Sequence, residues 1–324
     1  MTFFKHTKTL LISLIAVTLM LMVGCSSVQK AESSSVNILC TGFSQYDWIR
    51  NITKDVDGIN VSLLLENGVD MHSYQPTAED IIKIKASDMI VFTGGQSDTA
   101  IYEVIKNSPE SKTVVFDMMK ALGEDSLIRT EHSDTRHTHH EGDYFSDYDE
   151  HIFLSLKNAK KLCQSIANSI ILLDPANEES YNINTFDYIE KLSLLDNAYE
   201  AVVSASPQKT LVFADRFPFA YLARDYSIEY FAAFPGCSSE TDAGFDVILQ
   251  LASKTDELGL SAVMTTDGGT SGVDEAVISN TKAENIKTLS LESLQSVTAD
   301  EAAAGLTYLS AMEDNLEILK EALK

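Results

Sequence analysis

Two histidines stand where an open sheet protein would present a ligand. His72 lies at the middle of Asn67-Gly-Val-Asp-Met-His-Ser-Tyr-Gln-Pro-Thr-Ala-Glu79, and His151 lies in Asp149-Glu-His-Ile-Phe-Leu-Ser155. A neutral imidazole is the commonest metal-binding side chain, and it also changes charge near neutral pH. By itself a loop histidine is ordinarily solvated, so its chemistry has to be argued from its company. That company is acidic and lies far along the chain: Asp215, Cys237 with Glu240, and Asp267 each follow an apolar, strand-like run. Each also has an ordinary structural use. Asp215 suits a helix cap, Glu240 a first helical turn, Cys237 a buried position and Asp267 the start of a Gly268-Gly269 turn. Spacing alone does not bring these groups to one ion.

The elements around them say more. Ile59-Asn-Val-Ser-Leu-Leu-Leu65 reads as a buried strand and Thr77 to Ala86 as a helix, opened by a Thr77/Asp80 capping box with Ala78, Ile81 and Ile82 on one face. His72 therefore falls in a strand-to-helix loop, and open α/β sheets bind ligands at the carboxyl ends of their strands. Val36–Cys40, Asp88–Phe92 and Thr113–Phe116 read as further strands separated by helical periodicity, which implies a parallel sheet covered on both faces. Gly94-Gly95 lacks the residues of a phosphate loop and reads as a turn. Four more histidines, His132, His137, His139 and His140, crowd an acidic stretch at 129–148 that is too polar to order itself by burial. Such a tract reads as a loop that collects metal weakly. A helix from about Ser155 to Leu173 follows, then a longer one from Asn177 to Ser204, opened by Pro175 and closed by Pro207. It reads as a rigid spine. Beyond it Thr210–Ala214, Glu229–Phe234, Ala262–Thr266 and Lys287–Leu291 read as a second set of strands. Helices are expected near Phe217–Tyr226, Thr241–Leu258 and Gly272–Ala283, with a last one carrying Leu306 to Leu323 on one face.

The expected fold is thus α/β, with two lobes, each a mainly parallel sheet flanked by helices, joined by one long rigid helix. The lobes span 36–174 and 207–324, and the linking helix 175–206. Ahead of them Lys5 and Lys8 precede an uncharged run from Leu10 to Val23, too short to span a membrane and shaped like a secretory signal over residues 1–24. Met22-Val-Gly-Cys25 resembles a bacterial lipobox. A lipidated Cys25 and a tether over 25–35 would hold the protein on the outer face of a membrane. The formal charge is −24, and the signal carries lysines but no acid. An exported domain that acidic has no business with nucleic acid and attracts cations. Cys40, Cys163 and Cys237 remain, without a C-x-x-C pair, so neither a disulfide framework nor a zinc knot is expected, and Cys40 and Cys163 read as buried thiols.

Taken together, Asn67 to Asp80, the Asp149–Ser155 run with Lys157-Asn-Ala159, Asp215-Arg-Phe-Pro-Phe219 with Tyr221, and Gly305-Leu-Thr-Tyr308 with Met312 and Asn315 resemble the zinc/manganese class of ABC-transporter solute-binding lipoproteins. The resemblance covers the mature chain in order. It implies a monomer that holds one Zn2+ between its lobes, with Mn2+ as the alternative. It also implies delivery to a membrane permease driven by a cytoplasmic ATPase. His72 and His151 fall on the family's first two ligand positions, and Asp267 matches the fourth. The third, ten residues before Tyr226, falls on Arg216, which cannot bind a cation. Asp215 beside it, or Cys237 or Glu240, would serve instead. Two imidazoles and one or two oxygens suit a closed zinc site, whereas manganese favours more oxygens. A secreted zinc hydrolase would need an open metal position and a base, and no H-E-x-x-H helix supplies them. A metal-carrying surface adhesin is the other alternative.

Overall fold

Among the described residues eight runs become strands, and every ladder between those strands is parallel. The structure is a computed structural model that describes residues 35–64, 74–108, 112–130, 147–236, 243–269 and 271–324. His72, the four loop histidines, Cys237, Glu240 and Cys25 lie outside the described residues. In chain order the elements are β1 (Val36–Cys40), α1 (Phe43–Ile52), β2 (Ile59–Leu63), α2 (Ala78–Ala86), β3 (Met89–Phe92), α3 (Thr99–Lys106), β4 (Val114–Asp117), α4 (Met118–Leu122), α5 (Leu156–Leu173) and α6 (Glu178–Ala205). They continue with β5 (Thr210–Phe217), α7 (Ala220–Tyr226), β6 (Glu229–Pro235), α8 (Phe245–Leu258), β7 (Ala262–Thr266), α9 (Val273–Ser279), β8 (Lys287–Leu291), α10 (Ala299–Ala303) and α11 (Tyr308–Ala322).

The strand orders are β2-β1-β3-β4 and β6-β5-β7-β8. In each sheet the first strand of the lobe sits inside and the order reverses beside it, so each has a switch point, between β1 and β3 and between β5 and β7. Ligands of open α/β sheets bind outside the strand ends at such points. The central strands are apolar on both faces, as parallel strands covered by helices must be: β3 and β7 are buried along their whole length. Leu39 and Ile90 pack outward under α2 and α3 through Ile84 and Ile101, and Val212 and Val263 under α8 and α9 through Leu251 and Val277.

The inner faces of both sheets share a single core that runs from Ile38 to Leu323 through α6. At 28 residues α6 is about 42 Å long. Its buried stripe is Tyr181, Thr185, Tyr188, Leu192, Leu195, Tyr199 and Val203, while Phe186 faces solvent. The sequence points to Phe186 as part of the apolar face. The stripe instead steps by four and three residues, and that helical phase turns Tyr188 inward, where its hydroxyl finds a partner. Tyr188 Oη donates to Asp47 of α1, and Tyr199 Oη donates to the Met312 carbonyl of α11 at 2.6 Å. The spine is therefore hydrogen-bonded to both lobes. Tyr199→Phe is expected to lose about 1 kcal/mol of stability, seen as a lower urea midpoint with unchanged slope.

Local signals set the remaining boundaries. The Thr77/Asp80 capping box forms as expected, with Asp80 N on Thr77 Oγ1 at 3.2 Å and Thr77 N on Asp80 Oδ2 at 2.9 Å. Ser155 caps α5 by accepting from Asn158 N. The strand expected to stop at Ala214 continues to Phe217, and the helix expected from Phe217 starts at Ala220. Phe217 precedes Pro218, which disfavours helical backbone there and extends the strand. Cys40 and Cys163 are buried free thiols, as expected.

Candidate functional site

His151 is placed by the residues immediately before it. Asp149 Oδ1 accepts from the His151 backbone N at 2.8 Å and pairs with its Nδ1 at 2.8 Å. A ring whose Nδ1 proton is held by a carboxylate carries its lone pair on Nε2, and such a partner both fixes the ring and raises its basicity. The ring is only 3 % exposed, above the turn Ile152–Leu154 that leads into α5. A carboxylate behind a buried imidazole is how proteins hold a metal-binding histidine ready.

The next residue anchors that turn to the first sheet's switch point. Glu150 accepts from Ser97 N at 3.0 Å and from Ser97 Oγ at 2.6 Å. A Cβ on Gly95 would run into the Glu150 side chain, and one on Gly94, whose φ is +99°, into the Asp117 carboxyl. The two glycines thus form a turn, as the sequence implies, and also let two carboxylates close over the backbone. Under them lies Asp98, 2 % exposed, with Oδ2 accepting from Gly94 N at 3.0 Å. Burial, with Glu150 nearby, pushes the Asp98 carboxyl up to about 7.

Asp215 and Asp267 come together at the second switch point. The β5–β6 register slips between Phe213 and Arg216, and Asp215 sits in that bulge, its Oδ2 accepting from Thr266 N at the end of β7. Its Oδ1 accepts from Arg216 N. Asp267, one residue beyond Thr266, takes a left-handed φ of +50° and accepts from Ser293 N at 2.7 Å and Ser293 Oγ at 2.6 Å. Although the residue as a whole is exposed, desolvation of its carboxyl raises the pKa and the neighbouring Asp215 adds to this, against the Ser293 bonds and Arg216. Arg216 thus puts a cation beside the two acids.

The structure therefore joins Asp215 to Asp267 and gives His151 its own carboxylate. Among the described residues no three His, Cys, Asp or Glu side chains stand together closely enough to hold a metal ion. The positions read from the sequence that could add donors, His72, Cys237 and Glu240, fall outside those residues. Sequence reasoning missed Asp149, Glu150 and Asp98. The Asp-x-His spacing was the available signal for the first. Nothing in the spacing marks the other two: the Ser97 partner of Glu150 lies 53 residues away, and the burial of Asp98 is set by tertiary packing.

Residues 38–322 match the family profile described as zinc-uptake complex component A, periplasmic. The zinc-binding lipoprotein AdcA of Streptococcus pneumoniae serotype 4 is 29% identical over 318 residues, 98% of this chain and 61% of the relative, so the chain spans about three-fifths of that protein's length. The high-affinity zinc uptake system protein ZnuA of Bacillus subtilis is 26% identical over 314 residues, covering 95% of this chain and 96% of the relative. Among solved structures, that of Zn(II)-bound AdcA from Streptococcus pneumoniae superposes with a TM-score of 0.72 at 26% identity, over 89% of this chain and 58% of that one. The periplasmic zinc-binding protein TroA of Treponema pallidum, at 19% identity and a TM-score of 0.73 over 89% and 99% of the two chains, has the same fold.

Proposed function

The chain belongs to the zinc-uptake complex component A family, and from that membership we propose that it captures one zinc ion between its lobes and passes it, chemically unchanged, to a membrane permease powered by a cytoplasmic ATPase. The observation that carries this reading is the buried ring of His151 with its Nδ1 held by the Asp149 carboxylate. His72 supplies the second imidazole and Asp267 an oxygen. Asp215 supplies another, unless Cys237 or Glu240 takes that position. Zinc accepts such a mixed nitrogen and oxygen shell in tetrahedral geometry. Zinc is the cargo here, and an uptake protein has to let it go.

The protein works outside the cell, held by lipid on Cys25 and the tether to residue 35. Among the described residues no helix is long and apolar enough to cross a membrane. Two acyl chains, or one with a second signal, are needed to hold a protein there stably.

Competitive titration of the purified mature chain with zinc and manganese tests the reading. One tight zinc is expected, removable by a chelator while the fold persists. A metal that leaves only when the protein unfolds would make it a structural ion and end the transport reading. Deleting residues 131–141, with the four loop histidines, is expected to slow or weaken loading at scarce zinc and to leave the tight site in place. Stopped-flow loading and equilibrium titration separate the two effects, and complete loss of tight binding would place the loop in the site itself.

A further inference from the structure

Residues 128–130 and 147–149 form a short antiparallel stem, and a side chain of the second lobe grips its base. Thr130 N donates to the Asp147 carbonyl at 2.9 Å, Asp149 N donates to the Ile128 carbonyl at 2.8 Å, and Arg129 faces Tyr148 between them. Arg129 also stacks on the Tyr148 ring, 4.8 Å from its centroid, and donates to its hydroxyl. At the base, Tyr221 of α7 inserts a fully buried ring. Its hydroxyl accepts from Ile128 N at 3.0 Å and donates to the Asp149 carbonyl at 2.7 Å, one partner on each strand of the stem.

The rest of α7 holds the same surface. Arg224, one turn along, lies over the Tyr221 ring, 5.0 Å from its centroid, and donates to the Ser126 carbonyl at 2.8 Å. Asp225 accepts the Ser155 hydroxyl on its carboxyl and Lys157 Nζ on its carbonyl. One seven-residue helix of the second lobe thus touches residues 126–128, 149 and 155–157 of the first, and it begins just after the Asp215 bulge. Asp149 is the junction. Its amide closes the stem, its carbonyl takes the Tyr221 hydroxyl, and its carboxylate holds the His151 ring.

We propose that Tyr221 is a positioning residue for the metal site: its hydroxyl ties the Asp149–His151 turn to the second lobe, so that the imidazole and the acids of β5 and β7 keep a set spacing before an ion arrives. Donors ordered in advance bind more tightly because less freedom is lost on binding. The same contact argues against a wide hinge about α6, since separating the lobes here would break both bonds of a buried hydroxyl. The inference rests on the reading of His151 as a ligand.

Tyr221→Phe removes the hydroxyl and keeps the ring. In the mature chain it is expected to lower zinc affinity about tenfold, the lower end of the loss when the support behind a metal ligand is removed. It should also alter the visible spectrum of the cobalt(II)-loaded protein and speed exchange of the Ile128 amide. Tyr199→Phe, which removes an equally buried hydroxyl bond made to the Met312 carbonyl and not to the stem, controls for general loosening and is expected to leave the spectrum and the affinity as they are. Arg224→Lys, at an exposed position, should shift affinity in the same direction by less, and it decides the matter if Tyr221→Phe does not fold. Affinity and cobalt spectrum in Tyr221→Phe indistinguishable from those of Tyr199→Phe would overturn the proposal. If His151→Ala loses zinc while Tyr221→Phe and Arg224→Lys do not, only this inference falls. If His151→Ala keeps zinc, the reading beneath it falls as well.

Discussion

His151→Ala is expected to weaken zinc binding by about 3–4 kcal/mol, roughly two to three orders of magnitude. The size follows from the whole site: a zinc ion held by four protein donors is worth about 10–16 kcal/mol, so one donor accounts for about a quarter. His151 meets the conditions for contributing its full share. Its ring is buried and already fixed by Asp149 at 2.8 Å, so little freedom remains to be lost when the ion binds. Alanine leaves a space that water can enter, and a water ligand returns only part of the loss. His72→Ala is expected to behave in the same way, and titration against a chelator of known affinity reads both. Wild-type affinity in either variant removes that residue from the site.

The second large effect is on folding, and it depends on pH. Asp98 has a folded-state pKa of about 7, raised by burial first and by Glu150 as well, against the bond from Gly94 N. In the unfolded chain it titrates near 3.9. Between those values the folded protein holds a proton that the unfolded chain has released, so stability falls as pH rises through the window. Below about 4 both states are protonated and Asp98 costs nothing by this route. Well above 7 both are ionised, and the penalty reaches its full size, on the order of 4 kcal/mol. Asp98→Asn keeps an oxygen for Gly94 N and never ionises. It is therefore expected to be close to neutral at pH 4 and to stabilise the protein by a few kcal/mol at pH 8, as read from urea midpoints. A gain that does not change with pH would show that Asp98 is not a buried carboxyl of raised pKa.

The architecture was legible because it rests on long-range patterns that sequence carries directly. Strands Val36–Cys40, Ala262–Thr266 and Lys287–Leu291 begin and end where the sequence pattern places them, and the Thr77/Asp80 box marks the start of α2. What sequence misjudged was decided by neighbours. β5 passes Ala214 because Pro218 keeps Phe217 extended and β6 offers it Pro235 and Gly236 as partners. Phe186 is the more apolar of the pair, yet the phase of α6 buries Tyr188, whose hydroxyl meets Asp47, and leaves Phe186 exposed. For the site, strand ends pointed to Asp215 and Asp267, and these do meet across the end of β7. Their supporting groups, Thr266 and Ser293, and the Glu150–Ser97 contact depend on tertiary register and leave no local trace. Arg216 is the informative departure. The resemblance implies a metal donor at that position, and the structure shows a cation beside Asp267 and Asp215 instead.

Histidine bookkeeping makes the central proposition directly measurable. Of the seven histidines, His6 lies in the proposed signal segment and four lie at 132–140, so a chain that starts at Cys25 and lacks residues 131–141 retains only His72 and His151. Zinc K-edge absorption on that protein, loaded with one equivalent of zinc, counts imidazole rings on the ion by their outer-shell scattering. Two rings at about 2.0–2.1 Å are expected. A single ring or none, at full zinc occupancy, would mean that the two histidines do not share an ion.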